Sequence, residues 1–202
     1  MSDRTLVVVT AGLGTPSSTR LLADRLADAT VTELAARGIP TAVRVVELRE
    51  HAHDITNTML TGFAPTALRA ELDALAAADG VIVVSPIFNA SYSGLFKSFV
   101  DVLADSSLVD KPVLLAATGG TARHSLALEH ALRPLFAYLR AQTVPTAVFA
   151  ATDDWAGPEA DRLGQRIARA GKELAAQIVR YQPAPPMDPF GLTTTFEDLL
   201  PR

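Results

Sequence analysis

Short unbroken apolar runs alternate along this chain with longer stretches in which leucine and alanine return every three or four positions. The first regime suits strands buried on both faces, and the second suits helices with one buried face. Thr5 to Thr10 is the first run, and from about Ser18 the residues Leu22, Leu26 and Ala29 mark a helix that Gly38 and Pro40 stop. Val43 to Leu48 follows as a second strand, with Arg44 and Glu47 placing it at a sheet edge. The stretch from Glu50 to Phe63 has no clean period and predicts no regular element, after which Leu68, Leu72 and Leu75 resume a helical stripe closed by Gly80. Val81 to Val84, ended by Ser85-Pro86, is the third strand, and Leu95, Phe96, Phe99, Val100 and Leu103 mark the helix after it. Pro112 to Ala117 is the fourth strand, stopped by Thr118-Gly119-Gly120-Thr121, and Leu128, Leu132, Leu135 and Leu139 face one way along the next helix. Val144 to Ala150 is the fifth strand, an edge because Pro145 cannot donate to a ladder. Leu163, Ile167, Ala170, Leu174 and Ile178 build the last helix.

Five alternations of strand and helix with short links predict an α/β fold, one doubly wound parallel sheet with helices on both faces. The two edges, strands two and five, are those of the flavodoxin-like order 2-1-3-4-5. The expected organisation is one domain over residues 1–181, followed by a Pro-rich tail at 182–202 that predicts no regular structure. In such sheets ligands bind at the carboxyl ends of the strands near the switch in strand order. That rule directs attention to three loops, 11–19, 86–94 and 118–124.

Composition narrows the chemistry. With 202 residues, 49% of them apolar, and a mean hydropathy of +0.22, the chain can bury a full core. It has no cysteine, so disulfides, thiolate metal sites, a Cys nucleophile and a CxxC redox pair are all excluded. Any redox role needs a borrowed electron carrier. The net charge is −4 and the 18 basic residues are scattered, which gives no footprint for nucleic acid or an anionic membrane. The apolar run at the N-terminus is too short to span a bilayer or to serve as a signal peptide, so a cytoplasmic protein with a small soluble ligand is expected.

The first loop, Ala11-Gly12-Leu13-Gly14-Thr15-Pro16-Ser17-Ser18-Thr19, opens a helix. Unpaired N–H groups and about half a positive charge at a helix start suit an anion, although a plain Ser/Thr cap reads the same way. From Thr5 to Ala23 there is no acidic residue, and a cation, Arg20, stands where an acid is normally favoured. An external anion explains both choices. GxGxxG and GxxxxGK[ST] are absent, and only Glu47 stands near the place of a ribose-binding acid, so a phosphomonoester fits better than a dinucleotide pyrophosphate. The second loop, Ser85 to Gly94, offers Ile87 and Phe88 as apolar surface for a flat ring, while Ser93 and Gly94 also read as an ordinary helix start. In the third, Gly119 and Gly120 permit close backbone approach, or a turn of positive φ.

The runs SPIFNASYSGLFKSFVDVL (85–103) and KPVLLAATGGTARHSLALEHALRPLFAYLRAQ (111–142) resemble the NAD(P)H-dependent FMN reductases, in particular those that supply reduced flavin to two-component monooxygenases. The loop Ser17-Ser18-Thr19-Arg20 looks like that family's phosphate loop, and the resemblance covers about residues 5–150. It implies that Ser17, Ser18 and Thr19 hold the FMN phosphate, that Pro86, Ile87, Phe88, Asn89, Ser93 and Gly94 pass along the isoalloxazine, and that Thr118, Gly119, Gly120 and Thr121 close its far side. NADPH or NADH is then the co-substrate, a flavin-dependent monooxygenase a partner, and a homodimer or homotetramer the assembly. Two departures stand out: Gly12 is followed by Leu13 where the family has a serine, and position 130 is His where some members have Tyr.

Hydride transfer between nicotinamide and flavin requires no protein acid or base, so no catalytic residue is required. His124, beside the Gly-Gly loop, and His130 are the titratable residues expected near the site. Pro134 leaves the His130 carbonyl without its helical donor, which predicts a local irregularity. His51-Ala52-His53-Asp54 is a poor metal motif, Lys97 and Asp101 form a surface pair one turn apart, and Trp155 packs or caps. The competing readings are an FMN-containing quinone or azo-dye reductase and a flavodoxin-like electron carrier. A carrier calls for a strongly acidic face and aromatic rings around the flavin, against a charge of −4 and 6% aromatics.

Overall fold

Thr41–Glu47 (β2), Arg4–Thr10 (β1), Gly80–Phe88 (β3), Pro112–Gly119 (β5) and Gln142–Thr143 (β6) lie side by side in that order as parallel neighbours in the computed structural model, which describes residues 3–183. Two more strands join off this path. Ser91–Tyr92 (β4) folds back antiparallel on β3, and Val148–Ala151 (β7) pairs parallel with the upper half of β5. Among the described residues the sheet therefore has seven strands rather than five, with a path β2-β1-β3-β5-β6.

The apolar strand runs face both ways. Leu6, Val8, Ile82, Val84 and Leu114 meet helices α1 (Ser18–Ala35) and α6 (Gly157–Arg180) through Leu22, Leu26, Leu34, Leu174 and Ile178. Val7, Val9, Val81, Val83 and Leu115 meet the opposite layer, made of α2 (Ala52–Thr61), α3 (Thr66–Ala77), α4 (Gly94–Asp101) and α5 (Arg133–Tyr138). Each fully buried Leu, Ile or Phe contributes roughly 1.5–3 kcal/mol, and alternation along the strands sends successive side chains to the two layers.

Four expectations are corrected. The stretch from Glu50 to Phe63 contains α2; only Ile55 and Thr58 turn inward, so its apolar period is too sparse to read, and Gly62 at φ 76° ends it. The third strand runs past Ser85-Pro86 to Phe88. β1 pairs with β3 only as far as Val84, and beyond that point β3 keeps just β5 as a parallel partner, a local edge where a residue without an N–H is tolerated. The fifth strand breaks at Pro145 into β6 and β7. Arg133 bridges the break by donating to Thr143 Oγ1 (3.0 Å) and to the carbonyls of Val144 and Pro145 (both 3.2 Å), while Glu173 accepts from Thr146 N and Oγ1 (both 2.8 Å). The single helix expected over Leu128 to Leu139 is instead a π turn, Leu128–Leu132, followed by α5. The irregularity anticipated at His130 is this wider turn, which forms where Pro134 withholds its donor.

At the amino end of the sheet, Lys111 is buried and donates to the carbonyls of Ala76 (2.9 Å) and Ala78 (2.5 Å) at the end of α3, with its Nζ 5.5 Å from the Tyr181 ring. Arg4 pairs with Asp79 at 2.6 Å and reaches the Tyr181 carbonyl at 3.2 Å. These contacts fasten the end of α6 to the sheet, away from the loops at the carboxyl end. Among the described residues no helix is long and apolar enough to cross a membrane.

Candidate flavin site

Strand β1 ends at Thr10, and the chain turns over the sheet with Ala11 N donating to the Val84 carbonyl at 3.0 Å. Gly12 makes the turn possible: a Cβ there would lie 2.2 Å from Ser17 Oγ and 3.1 Å from Thr19 Cβ. Ser17 caps α1, its Oγ accepting from Arg20 N at 3.2 Å, and the first turn holds no acidic residue. Ser18 is exposed. Thr19 is only 3% exposed, and its Oγ1 lies 2.8 Å from Thr118 Oγ1, so this pair ties the first loop to the third.

The second wall comes from the upper end of β3. Pro86 and Ile87 are buried, while Phe88 is 46% exposed over the cleft. The turn to β4 passes through Asn89 and Ala90 at φ 47° and 71°, the left-handed pair that a two-residue hairpin requires. Ser85 Oγ holds the hairpin in place, accepting from Ser93 N and donating to the Pro86 carbonyl, both at 3.0 Å. The third wall is Thr118, Gly119 and Gly120 at the end of β5. A Cβ on Gly119 would lie 2.9 Å from Phe149 Cζ, and one on Gly120 would meet nothing within 4 Å among the described residues.

These segments enclose an open cleft of about 290 Å³ lined by Leu13, Gly14, Pro16, Ser17, Ser18, Thr19, Pro86, Ile87, Phe88, Thr118, Gly119, Gly120 and Thr152. Nine of the residues anticipated at the site thus share one surface: Ser17, Ser18, Thr19, Pro86, Ile87, Phe88, Thr118, Gly119 and Gly120. Six lie off the wall. Asn89 is in the hairpin turn, Ser93 is 2% exposed and caps α4 by accepting from Phe96 N at 3.1 Å, and Gly94 begins that helix. Thr121 caps a short turn through Arg123 N at 3.1 Å, His124 closes that turn, and His130 is exposed in the π turn. Thr152, directly after β7, escaped sequence reasoning although it follows the same rule as the three loops, a small polar residue at the carboxyl end of a strand.

Arg20 is the clearest departure. Its Nε donates to Asp24 Oδ1 at 2.7 Å and its Nη1 to Glu47 Oε1, and the hydrogen bond to Asp24, with the charges of Asp24 and Glu47, raises the guanidinium above its ordinary range. The cation at the loop is therefore already paired. Glu47, placed by sequence near a possible ribose, is engaged by Arg20 and also by Arg49 Nε at 3.2 Å. Lys97 and Asp101 form the surface pair expected, and Trp155 packs against the α1/α6 layer with Arg25 5.1 Å over its ring.

An uncharged cleft beside a helix start, at the switch in strand order of a doubly wound sheet, stands where α/β proteins of the nucleotide-binding class take their ligands. The NADPH-dependent FMN reductase family matches residues 5–156, and the chain belongs to it. It is an NAD(P)H:FMN oxidoreductase, with FMN and a nicotinamide nucleotide as its reactants. It is 41% identical over 150 residues to an FMN reductase (NADPH) of Pseudomonas aeruginosa, covering 74% of this chain and 78% of that one. With an NADH-dependent FMN reductase, SfnF, of Pseudomonas fluorescens it shares 37% over 172 residues, or 84% and 89% of the two chains. Among solved structures, an oxidoreductase from Corynebacterium diphtheriae superposes with a TM-score of 0.88 at 48% identity, covering 90% of this chain and all of that one. The apo form of an NADH:FMN oxidoreductase, EmoB, gives 0.70 at 27%, covering 83% and 88%.

Proposed function

We propose that the cleft takes FMN with its phosphate on residues 12–19 and its ring between Pro86–Phe88 and Thr118–Gly120, and that the reduced flavin serves a partner flavin-dependent monooxygenase. The observation that carries the placement is the Gly12 cradle under Ser17, at a helix start whose first turn contains no acid. Thr10 Oγ1, buried without a partner among the described residues one residue before the loop, agrees with a polar ligand there. Bound FMN would supply the hydride acceptor for the nicotinamide. The protein's part is to bind, orient and exclude water. The Ser17 and Ser18 hydroxyls and the first amides of α1 donate to the phosphate; Pro86, Ile87 and Phe88 give an apolar wall; and Gly119 and Gly120 let backbone come close to a flat ring. No wall residue carries an ordinary acid or base, so proton transfer is left to water and the reactants.

The partner monooxygenase rests on the resemblance of 85–103 and 111–142 to the flavin-supplying subgroup. The relatives' names divide between NADPH and NADH, and either nucleotide is expected to serve. Residues 1–181 form the flavin-binding domain of a cytoplasmic protein, and the tail at 182–202 lies almost wholly outside the described residues. The exposed side chains of Leu60, Phe63 and Tyr138 support assembly into a dimer or tetramer, which sedimentation of the full chain would show or refute. The deciding experiment is calorimetric titration with FMN together with NADH and NADPH oxidation in the presence of FMN, quinone or azo acceptors. FMN binding and oxidation fastest with FMN are expected. Absence of both would overturn the reading, and a faster rate with quinone or azo dye would move the protein to that class of reductase.

A further inference from the structure

We infer that Arg49, which stands outside the cleft wall in the turn after β2, supplies the positive charge for the flavin's phosphate. This rests on the FMN reading above and deepens it. A phosphomonoester carries a charge of about −1.5 to −2 at neutral pH, while a helix start offers only about +0.5. Not one of the thirteen residues lining the cleft is charged. Two guanidinium groups touch the loop's surroundings, and the structure separates them. Arg20 is held by two carboxylates, Asp24 and Glu47, through Nε and Nη1. Arg49 shares Glu47 through Nε at 3.2 Å, and its Nη1 donates to Thr15 Oγ1 in the middle of the loop. Its Nη2 has no hydrogen-bond partner among the described residues, and the side chain is 34% exposed. Glu47 and Thr15 thus hold two of the three guanidinium nitrogens, and the contact with Thr15 keeps the group at the phosphate loop. A guanidinium so oriented suits a phosphate oxygen, and a planar fork loses little freedom in meeting it.

The test measures dissociation constants of FMN and riboflavin, which differ only in the phosphate, by quenching of flavin fluorescence at several salt concentrations. Arg49→Met is expected to weaken FMN about tenfold while leaving riboflavin unchanged, and to flatten the salt dependence of FMN binding; Arg49→Lys, which keeps the charge but not the fork, should restore only part of the ratio. Thermal unfolding without flavin checks that each variant is folded. The inference is overturned if Arg49→Met weakens both flavins alike or neither. Wild-type protein that binds neither flavin would overturn the FMN assignment itself, an outcome distinct from the others because each of those presupposes wild-type FMN binding.

Discussion

Gly12 shows how much of the site depends on one missing methyl group. With Ser17 Oγ 2.2 Å from where its Cβ would stand, Gly12→Ala must displace either the loop or the cap of α1. The cap alone is worth about 0.5–2 kcal/mol. We expect Gly12→Ala to weaken FMN at least tenfold, with a smaller loss for riboflavin, in the same fluorescence titration; equal affinities in variant and wild type would show that the loop does not carry the phosphate. Ser17 and Ser18 are legible in the sequence as members of a small, acid-free loop before a helix. Thr19 is legible only in part: its position in the loop is plain, yet its pairing with Thr118 joins residues 99 apart in sequence and follows from the parallel packing of β1, β3 and β5.

Among the elements, the broken last strand matters most. β6 and β7 both pair with β5, and the gap around Pro145 is closed by side chains from two helices, Arg133 at the start of α5 and Glu173 in α6. Arg133 also pairs with Glu129 of the π turn at 2.6 Å, so the wide turn and the strand break share one side chain. The hydrogen bonds from Arg133 hold the Glu129 carboxyl below its ordinary range, against the opposing effect of burial. Arg133→Met removes this bridge and leaves the Val144 and Pro145 carbonyls short of donors. A loss of about 1–3 kcal/mol is expected in equilibrium denaturation. A change below a few tenths of a kcal/mol would mean that the break is held by the sheet alone. Periodicity marked these helices and strands because each buries a repeating set of side chains. It could not mark α2, whose inward face is one isoleucine and one threonine, nor the continuation of β3 beyond Pro86, where the partner strands decide how far the ladder runs.

At the scale of the whole molecule, the two ends of the sheet do different work. The carboxyl end presents an uncharged cleft wall for a ligand, and the amino end gathers buried charge. Burial lowers Lys111 to about 8, despite the opposing charge of Asp79. Its unfolded value is about 10.4, so between these two limits the unfolded chain holds a proton that the folded chain has released, and stability rises with pH. Below pH 8 the full cost of the buried ammonium is present. Tyr181, whose phenol is raised by burial and by Asp79 and Asp110, acts in the opposite sense only above about pH 10. Urea unfolding is therefore expected to show a gain of roughly 1–2 kcal/mol between pH 7.5 and 9.5 that Lys111→Met abolishes. A flat profile in the wild type would show that the lysine titrates normally.

The alternation of strand and helix, the need for a borrowed electron carrier and the three small, acid-free loops were determined by the sequence alone, because periodicity, composition and turn chemistry are local properties. Which groups meet was decided by tertiary structure. Arg20 reads as a cation waiting for an anion, but the parallel pairing of β1 with β2 puts Glu47 beside it. Arg49 and Thr15, 34 residues apart, give no sign of each other in the sequence, and Thr152 joins the wall only because β7 ends beside β5. The charge of a site depends on neighbours brought together through space, and the chain's own order does not record them.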